Sequence, residues 1–235
     1  GLPSACLRTR SEIVRLERTG GRIHRLILST GETLDVPGRV LSTLPLPRLL
    51  TMLHPSIDAD ALDAAAGLRF RDVRLVFLRL TIPHVSRNAS IYLPNPELCL
   101  ARVYEPKNRC RTMAPDGETS LVAEVPCFPE EPVAQSSETA LVTRVVDELF
   151  SAGLIEPHQV AGARVHRLAN AYPVYSLDYA PRVERILTAL DGIENLDLVG
   201  RGGRFFYSHL HDQLRAANAG RRLVLLNRPF PRLLG

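Results

Sequence analysis

A short apolar run that enters a glycine-rich segment near the C-terminus constrains the fold more than any other feature of this sequence. In DLVGRGGRFFYSHLHDQL (197–214), glycines surround Arg201, aromatic residues follow, and Asp212 precedes a segment of helical composition. This order is typical of a strand that ends in a turn and is followed by a helix. We therefore predict strand, glycine-rich turn and helix over 197–217, with the helix beginning near 209–212.

The same segment has the chemistry of a ligand clamp. Glycines at 200 and 203 allow backbone N–H groups to come close to a ligand. Arg201 carries a planar, permanent positive charge that suits a phosphate. Asp212, near a helix start, can accept hydrogen bonds from sugar-like hydroxyl groups. Together these residues predict a site for a phosphorylated polyol. The alternative is a structural turn in which Asp212 serves only as a helix cap.

The rest of the chain alternates strand-like and helix-like segments. Strands are predicted at 5–18, 22–28, 33–36, 40–42, 70–81, 90–93, 98–104, 119–125, 163–168 and 196–199, with a loop over 169–178. Helices are predicted near 47–53, 58–66, 136–153 and 181–190, with Asp58 and Ser137 as N-caps. The N-terminal strands, separated by glycine-centred turns, indicate a β-meander. The fold class is therefore α/β (α+β), with a mainly antiparallel sheet flanked by helices.

Composition excludes several classes of protein. The net charge of +4 comes from arginines scattered along the chain, so small anionic ligands are favoured over nucleic acid. No apolar run approaches the length of a membrane span, and nothing resembles a signal peptide. Four dispersed cysteines, Cys6, Cys99, Cys110 and Cys127, lack the spacing of a zinc site or a disulfide scaffold. We expect a cytoplasmic protein without a metal, in which His209 and His211 form a capping or solvent-facing pair.

The glycine-rich segment resembles the C-terminal flavin-binding segment of a family of FAD-dependent enzymes. This family includes amine oxidases, protoporphyrinogen oxidases, phytoene desaturases and UDP-galactopyranose mutases. The mutase-like pattern of Gly-Arg-x-Gly, an aromatic residue, Tyr and Asp is matched by Gly200, Arg201, Gly203, Phe205, Tyr207 and Asp212. The spacing from Tyr to Asp is longer than in bacterial mutases. The resemblance implies that Gly200, Arg201 and Gly203 lie beside the FAD pyrophosphate, and Asp212 beside the ribityl chain.

The N-terminal segment is similar to the meander of the same family. The resemblance places Ile13 beside the adenine ring, and the strand through Ser42 and Thr43 at the return to the flavin domain. The GxGxxG fingerprint that the family carries upstream of the meander is absent from these residues. We therefore expect the chain to be the C-terminal part of a longer flavoprotein. By itself it should bind FAD weakly or not at all, and its partner would be the missing N-terminal FAD-binding segment.

The resemblance also implies a division into domains. Residues 1–67 would form a partial FAD-binding domain, 68–170 a substrate-binding domain, 171–220 the return to the FAD-binding domain, and 221–235 a tail. Candidate contacts to a small-molecule substrate are Arg102, Tyr104, Asn108, Tyr172, Tyr175 and Tyr207, with Tyr179 in the same aromatic group. The alternative is that these tyrosines pack between sheet and loop.

The implied activity is that of an FAD-dependent oxidoreductase of the amine oxidase or protoporphyrinogen oxidase type. The sequence does not identify its substrate. In such enzymes the flavin supplies the chemistry, so no side chain is assigned as catalyst. Two alternatives stay open. One is a nucleotide-sugar flavoenzyme similar to UDP-galactopyranose mutase, and the other is a non-catalytic remnant that binds a ligand or a partner. The sequence leaves the oligomeric state open.

Overall fold

The structure is a computed structural model that describes residues 6–215 and 218. Two compact units are present: unit 1 is drawn from residues 1–69 and 172–235, and unit 2 comprises residues 70–171. The predicted tail over 221–235 lies outside the described residues. None of the described helices combines the length and the apolar character that a membrane crossing requires.

Unit 1 opens with the predicted β-meander. In chain order its elements are β1 (Ile13–Thr19), β2 (Arg22–Leu28), β3 (Thr33–Asp35), β4 (Val40–Ser42), α1 (Leu46–Met52), β5 (Leu53–His54) and α2 (Ala59–Ala66). The first three strands pair antiparallel, and β5 lies parallel to β1 on the other side. This pairing ends α1 one residue earlier than predicted, because Leu53 belongs to the sheet. Asp58 caps α2 as predicted, since its carboxylate accepts the Ala61 N–H at 2.9 Å.

Unit 2 is built on a five-stranded sheet. Its elements are β6 (Phe70–Leu80), β7 (Ile91–Tyr92), β8 (Arg102–Tyr104), β9 (Thr119–Cys127), α3 (Pro132–Gln135), α4 (Glu138–Ser151) and β10 (Val160–Pro173), whose last two residues belong to unit 1. The strand order is β10-β6-β9-β8-β7, and the pairs from β6 to β7 are antiparallel. The predicted strand over 98–104 is shorter, and β10 extends through much of the segment predicted as a loop.

The core of unit 2 follows from two sequence periodicities. Alternate residues of β6 and β9 point to one face of the sheet, where Val76, Leu78, Leu121 and Ala123 are buried. Helix α4 covers this face with Leu141, Val145 and Leu149, which recur every four residues. Its N-cap is Ser137, as predicted, because the hydroxyl accepts the Ala140 N–H at 3.2 Å.

Unit 1 is completed by the C-terminal elements α5 (Tyr179–Leu190), β11 (Leu196–Leu198) and α6 (Gly200–Arg204). Strand β11 pairs with β4 in parallel and forms a separate two-stranded sheet. A buried ion pair holds these strands: Arg39 donates through Nε and Nη2 to the two carboxylate oxygens of Asp197, at 2.6 and 2.7 Å. This hydrogen-bonded pairing raises the pKa of Arg39. Asn195 joins the same region to the meander by bonding both the N–H and the carbonyl of Ile23.

Candidate functional site: a cleft and a tyrosine cluster in unit 1

The glycine-rich segment is helical, which corrects the prediction of an open turn. Strand β11 ends at Leu198, the chain turns at Gly200 with a φ of 77°, and α6 runs through Gly202 and Gly203. The helix ends at Phe205, which adopts a left-handed conformation. A second helical segment covers residues 210–215, so the helix start predicted near 209–212 is confirmed.

Close packing explains why glycines occupy this helix. A Cβ atom on Gly203 would lie 2.7 Å from the carbonyl oxygen of Ser42, and one on Gly202 would lie 3.2 Å from that of Thr43. The carbonyl of Ser42 also accepts the N–H of Val199 at 2.9 Å, which limits its freedom to move. The glycines therefore let α6 pack directly on the backbone that follows β4.

Arg201 lies against two neighbouring tyrosine rings. Its guanidinium carbon lies 4.7 Å from the ring centre of Tyr207 and 5.5 Å from that of Tyr172. Its Nη2 donates to the carbonyl of Ser208 at 2.7 Å. Stacking and hydrogen bonding fix the position of the cation, while this bond uses one of the five N–H donors of a guanidinium.

The predicted tyrosines meet in a single group, which we call the tyrosine cluster: Tyr172, Tyr175, Tyr179 and Tyr207, together with Phe205. The rings of Tyr175 and Tyr179 stack at 4.3 Å, and Phe205 lies 6.2 Å from each of them. Tyr207 donates its N–H to the hydroxyl oxygen of Tyr175 at 2.5 Å, and its ring lies 5.8 Å from that of Tyr172. Tyr175 and Tyr207 remain nearly half exposed, so the cluster presents an aromatic surface on unit 1.

Asp212 acts as a helix cap in this structure. Its carboxylate accepts the N–H of His209 at 3.0 Å, and the N–H of Asp212 in turn donates to the carbonyl of His209. The Nε2 atom of His211 lies 3.3 Å from the carboxylate, and the rings of the two histidines stack at 5.5 Å. This is the capping arrangement that the sequence left as an alternative, and the contact of Asp212 with a ribityl chain stays a prediction.

A cleft of about 800 Å³ lies on unit 1 between the meander and β4. Its walls are Arg10, Ser11, Glu12, Ile13, Leu16, Ser29, Val40, Leu41, Ser42, Thr43, Leu44 and Leu49. The structure therefore places Ile13, the candidate adenine contact, on the wall of a concave and largely apolar space. The glycine segment borders this cleft through Ser42 and Thr43, which contact Gly203 and Gly200.

The edge of β4 that lines this cleft has no neighbouring strand among the described residues. Parallel sheets in proteins are normally larger than two strands and are covered on both faces. Leu41, in the middle of β4, is 46% exposed although it is part of that sheet. The two-stranded sheet is thus an incomplete layer with an apolar edge.

The candidate substrate residues of unit 2 have structural partners. Arg102 forms a bidentate ion pair with Glu124, donates to the hydroxyl of Tyr92 at 3.3 Å, and lies against the rings of Tyr92 and Tyr104. The hydrogen bond to Glu124 raises the pKa of Arg102. Asn108 donates to the carbonyls of Ser86 and Asn88. Arg102 and Tyr104 therefore share one sheet face, whereas Asn108 holds a loop.

Sequence reasoning missed the group that organises this loop. Glu105 is 2% exposed, and its carboxylate accepts the N–H groups of Val85 and Ser86 and the hydroxyl of Thr119. A single glutamate between Tyr104 and Pro106 is part of no recognisable motif. Its role depends on partners about twenty residues away, which the sequence does not identify. Among the described residues, no group of three or more His, Cys, Asp or Glu side chains is placed to hold a metal ion.

No protein-family model matches the chain, and no curated protein matches it in sequence. Solved structures do match it. The structure of reduced UDP-galactopyranose mutase aligns with 95% of this chain at a TM-score of 0.80 and 17% identity. A protoporphyrinogen oxidase structure from Exiguobacterium sp. 255-15, itself a provisional assignment, aligns with 82% at a TM-score of 0.63 and 20% identity. A putrescine oxidase triple mutant aligns with 66% at a TM-score of 0.50 and 12% identity.

These matches confirm that the chain has the fold of the flavoenzyme family that its sequence resembles. They extend over only part of each solved protein. The chain spans 48% of the mutase, 42% of the protoporphyrinogen oxidase and 33% of the putrescine oxidase. At these identities the similarity establishes the fold alone.

Proposed function

We propose that the chain is the C-terminal portion of an FAD-dependent oxidoreductase of the amine oxidase and protoporphyrinogen oxidase type. The observation that carries this proposal is the fold match, which covers 95% and 82% of this chain but less than half of each solved protein. The proposed substrate is a small molecule, and the proposal does not specify which one. We also propose a cytoplasmic location, on the basis of the four dispersed thiols, which lack the spacing of a disulfide scaffold.

In this proposal, unit 1 is the flavin side of the protein. Ile13 would pack against the adenine ring, because it lies on the apolar wall of the cleft. Gly200, Arg201 and Gly203 would lie beside the pyrophosphate, and Asp212 beside the ribityl chain. FAD would supply the redox chemistry, while the residues of this chain bind and orient it. The tyrosine cluster would exclude water and present hydroxyl groups beside a bound ligand.

The incomplete sheet supports the proposed missing segment. An apolar strand placed along the free edge of β4 would cover Leu41 and extend the two-stranded sheet. That strand would also close the cleft from its open side. We therefore propose that the N-terminal FAD-binding segment joins unit 1 at this edge and contributes the remaining contacts to the cofactor.

Unit 2 would be the substrate side. Arg102 and Tyr104, on one face of its sheet, would contact the substrate. In unit 1, Tyr172, Tyr175 and Tyr207 are candidate ligand contacts of the tyrosine cluster. Asn108 would act indirectly by holding the loop that contains Ser86.

A nucleotide-sugar flavoenzyme similar to UDP-galactopyranose mutase is the second candidate. It is favoured by the TM-score of 0.80 over 95% of the chain, against 0.63 over 82% for the protoporphyrinogen oxidase. Turnover assays of the completed protein would separate the two, because a mutase reaction leaves the oxidation state of the substrate unchanged. A non-catalytic remnant would show neither reaction.

Titration of the 235-residue chain with FAD tests the proposal directly. We expect weak binding or none by the chain alone, because the adenine-ribose side of the site is largely missing. Addition of an upstream segment with strand–GxGxxG–helix character should restore binding and produce flavin absorbance in the purified complex. FMN, which lacks adenine, serves as the matched control and should bind less tightly than FAD. Tight stoichiometric binding by the chain alone would overturn the missing-segment proposal, and failure of the complex to bind would overturn the flavoprotein proposal itself.

Replacement of Arg201 by alanine should weaken FAD binding by the completed protein by about ten- to a hundredfold. The reason is that a charge-assisted contact to a phosphate contributes about 1.5–3 kcal/mol. Arg201→Lys should recover only part of the affinity, because an ammonium group cannot form a bidentate contact. The measurement is the dissociation constant for FAD, with Arg22→Ala as the control for an exposed arginine. Unchanged affinity in both Arg201 variants would leave that residue as a purely structural partner of Tyr172 and Tyr207.

A further inference from the structure

The strand β10 is unusual among the strands of unit 2. It spans 14 residues, from Val160 to Pro173, and it is the terminal strand of its sheet in the described part of the chain. Typical strands have about five or six residues, and exposed edges are usually kept short, bent or blocked by proline. Here proline occurs only at the last position. Residues 161–164 and 166–170 are all exposed.

Small side chains leave the backbone of this edge accessible. Five of the residues between Val160 and Tyr172 are alanine or glycine: Ala161, Gly162, Ala163, Ala169 and Ala171. A Cβ atom built on Gly162 meets nothing within 4 Å. A neighbouring polypeptide can therefore approach the N–H and C=O groups of this strand without displacing bulky side chains, which is the requirement for adding a strand to a sheet.

The basic residues of β10 favour some partner strands over others. Arg164 and His166 lie on the strand beside the exposed Leu168 and form no ion pair with a carboxylate of the described residues. Arg167 is different, since it is bound to Asp72 at 2.5 Å. Opposite charges on neighbouring strands stabilise their pairing, and like charges destabilise it. Antiparallel pairing of β10 with a second copy of itself would place basic residues of the two copies close together. An acidic strand would meet them with complementary charge.

From these observations we propose that the outer edge of β10 binds an extended acidic polypeptide segment, which adds as a further strand to the sheet of unit 2. Backbone hydrogen bonds would supply the affinity, and Arg164 and His166 would supply the preference for carboxylates. The exposed side chain of Leu168 would contact an apolar residue of the incoming strand. This binding does not involve the cleft of unit 1, so it is independent of whether the protein binds FAD.

The test uses a blocked octapeptide in which glutamate alternates with valine, and a twin in which lysine replaces each glutamate. We expect the acidic peptide to bind about tenfold more tightly than the basic one, because Arg164 would attract the glutamates of one and repel the lysines of the other. Amide hydrogen exchange should show new protection within residues 160–171 and at no other strand. Arg164→Glu combined with His166→Glu should reverse the preference between the two peptides.

The matched control is Arg111→Glu, an exposed arginine outside β10 for which no ion pair with a described carboxylate is found. It also replaces a basic residue with glutamate, and the peptide preference should remain that of the unmodified chain. The proposal would be overturned if both peptides bound equally, or if millimolar acidic peptide gave the amides of β10 no protection from hydrogen exchange. Arg164 and His166 would then serve only to prevent edge-to-edge aggregation. Concentration-dependent dimerisation with protection of β10 in the absence of peptide would also overturn it, in favour of a second copy. Circular dichroism of each variant verifies that the fold is retained.

Discussion

Replacement of Asp197 by alanine is expected to lower the free energy of unfolding by about 3–5 kcal/mol. The side chain of Asp197 is 2% exposed and that of Arg39 is 9% exposed, so the variant leaves a buried guanidinium without its counter-charge. The lost contact is bidentate, with donor–acceptor distances of 2.6 and 2.7 Å. A loss of this size is a large part of the stability of a typical domain, which is about 5–15 kcal/mol. Urea unfolding followed by circular dichroism measures it.

An exposed carboxylate provides the control for this prediction. Asp35 lies 3.5 Å from Arg25 and is largely exposed, so Asp35→Ala should cost at most about 1 kcal/mol. Removal of both buried partners, in Arg39→Met with Asp197→Leu, should recover much of the loss, because no uncompensated charge remains. A loss below about 1 kcal/mol for Asp197→Ala would show that Arg39 gains water or another partner in the variant.

The elements that the sequence predicts well are those determined by neighbouring residues. Helix α4 is recognisable because Leu141, Val145 and Leu149 share one face and Ser137 supplies the cap. The meander is recognisable because its turns need residues with positive φ, and Gly20, Gly21 and Gly31 provide them. In both cases the residues that carry the signal lie in, or within a few positions of, the element that they determine.

The glycine-rich segment was misjudged because its glycines serve a distant contact. Read locally, Gly200, Gly202 and Gly203 indicate a flexible turn, since glycine is a poor helix former. In the folded chain Gly202 and Gly203 lie in α6 against the backbone at Ser42 and Thr43, about 160 residues earlier. No pattern within the segment carries that information. For the same reason β10 could not be predicted to full length, because its pairing with β6 overrides a sequence typical of a loop.

The site was predictable in composition but not in arrangement. The tyrosines were recognisable as a group because they are concentrated in one segment and in the glycine-rich motif. The contact of Arg201 with both Tyr172 and Tyr207 depends on tertiary packing. The capping role of Asp212 follows from residues next to it in sequence and was anticipated as an alternative. The partners of Asn108, the carbonyls of Ser86 and Asn88, depend on a loop fold that sequence spacing does not determine.

Replacement of Gly203 by alanine should destabilise unit 1 by about 1–3 kcal/mol, the usual cost of overpacking a close contact. The new methyl group would lie 2.7 Å from the carbonyl oxygen of Ser42, which is backbone and also accepts the N–H of Val199. Alanine is a better helix former than glycine by about 1 kcal/mol, and this gain opposes the clash. The clash should outweigh this gain, so we expect a net loss of stability. The size of the loss reports how tightly α6 is held against the backbone that follows β4. Thermal unfolding should show it as a fall of about 2–4 °C per kcal/mol.

Gly202→Ala is the matched control, since it makes the same substitution in the same helix. Its methyl group would lie 3.2 Å from the carbonyl oxygen of Thr43, a distance that a shift of a few tenths of an ångström relieves. The gain in helix propensity should then offset most of the cost, so this variant should be more stable than Gly203→Ala. If both variants are as stable as the unmodified chain or more so, α6 is not packed against Ser42 as the structure shows.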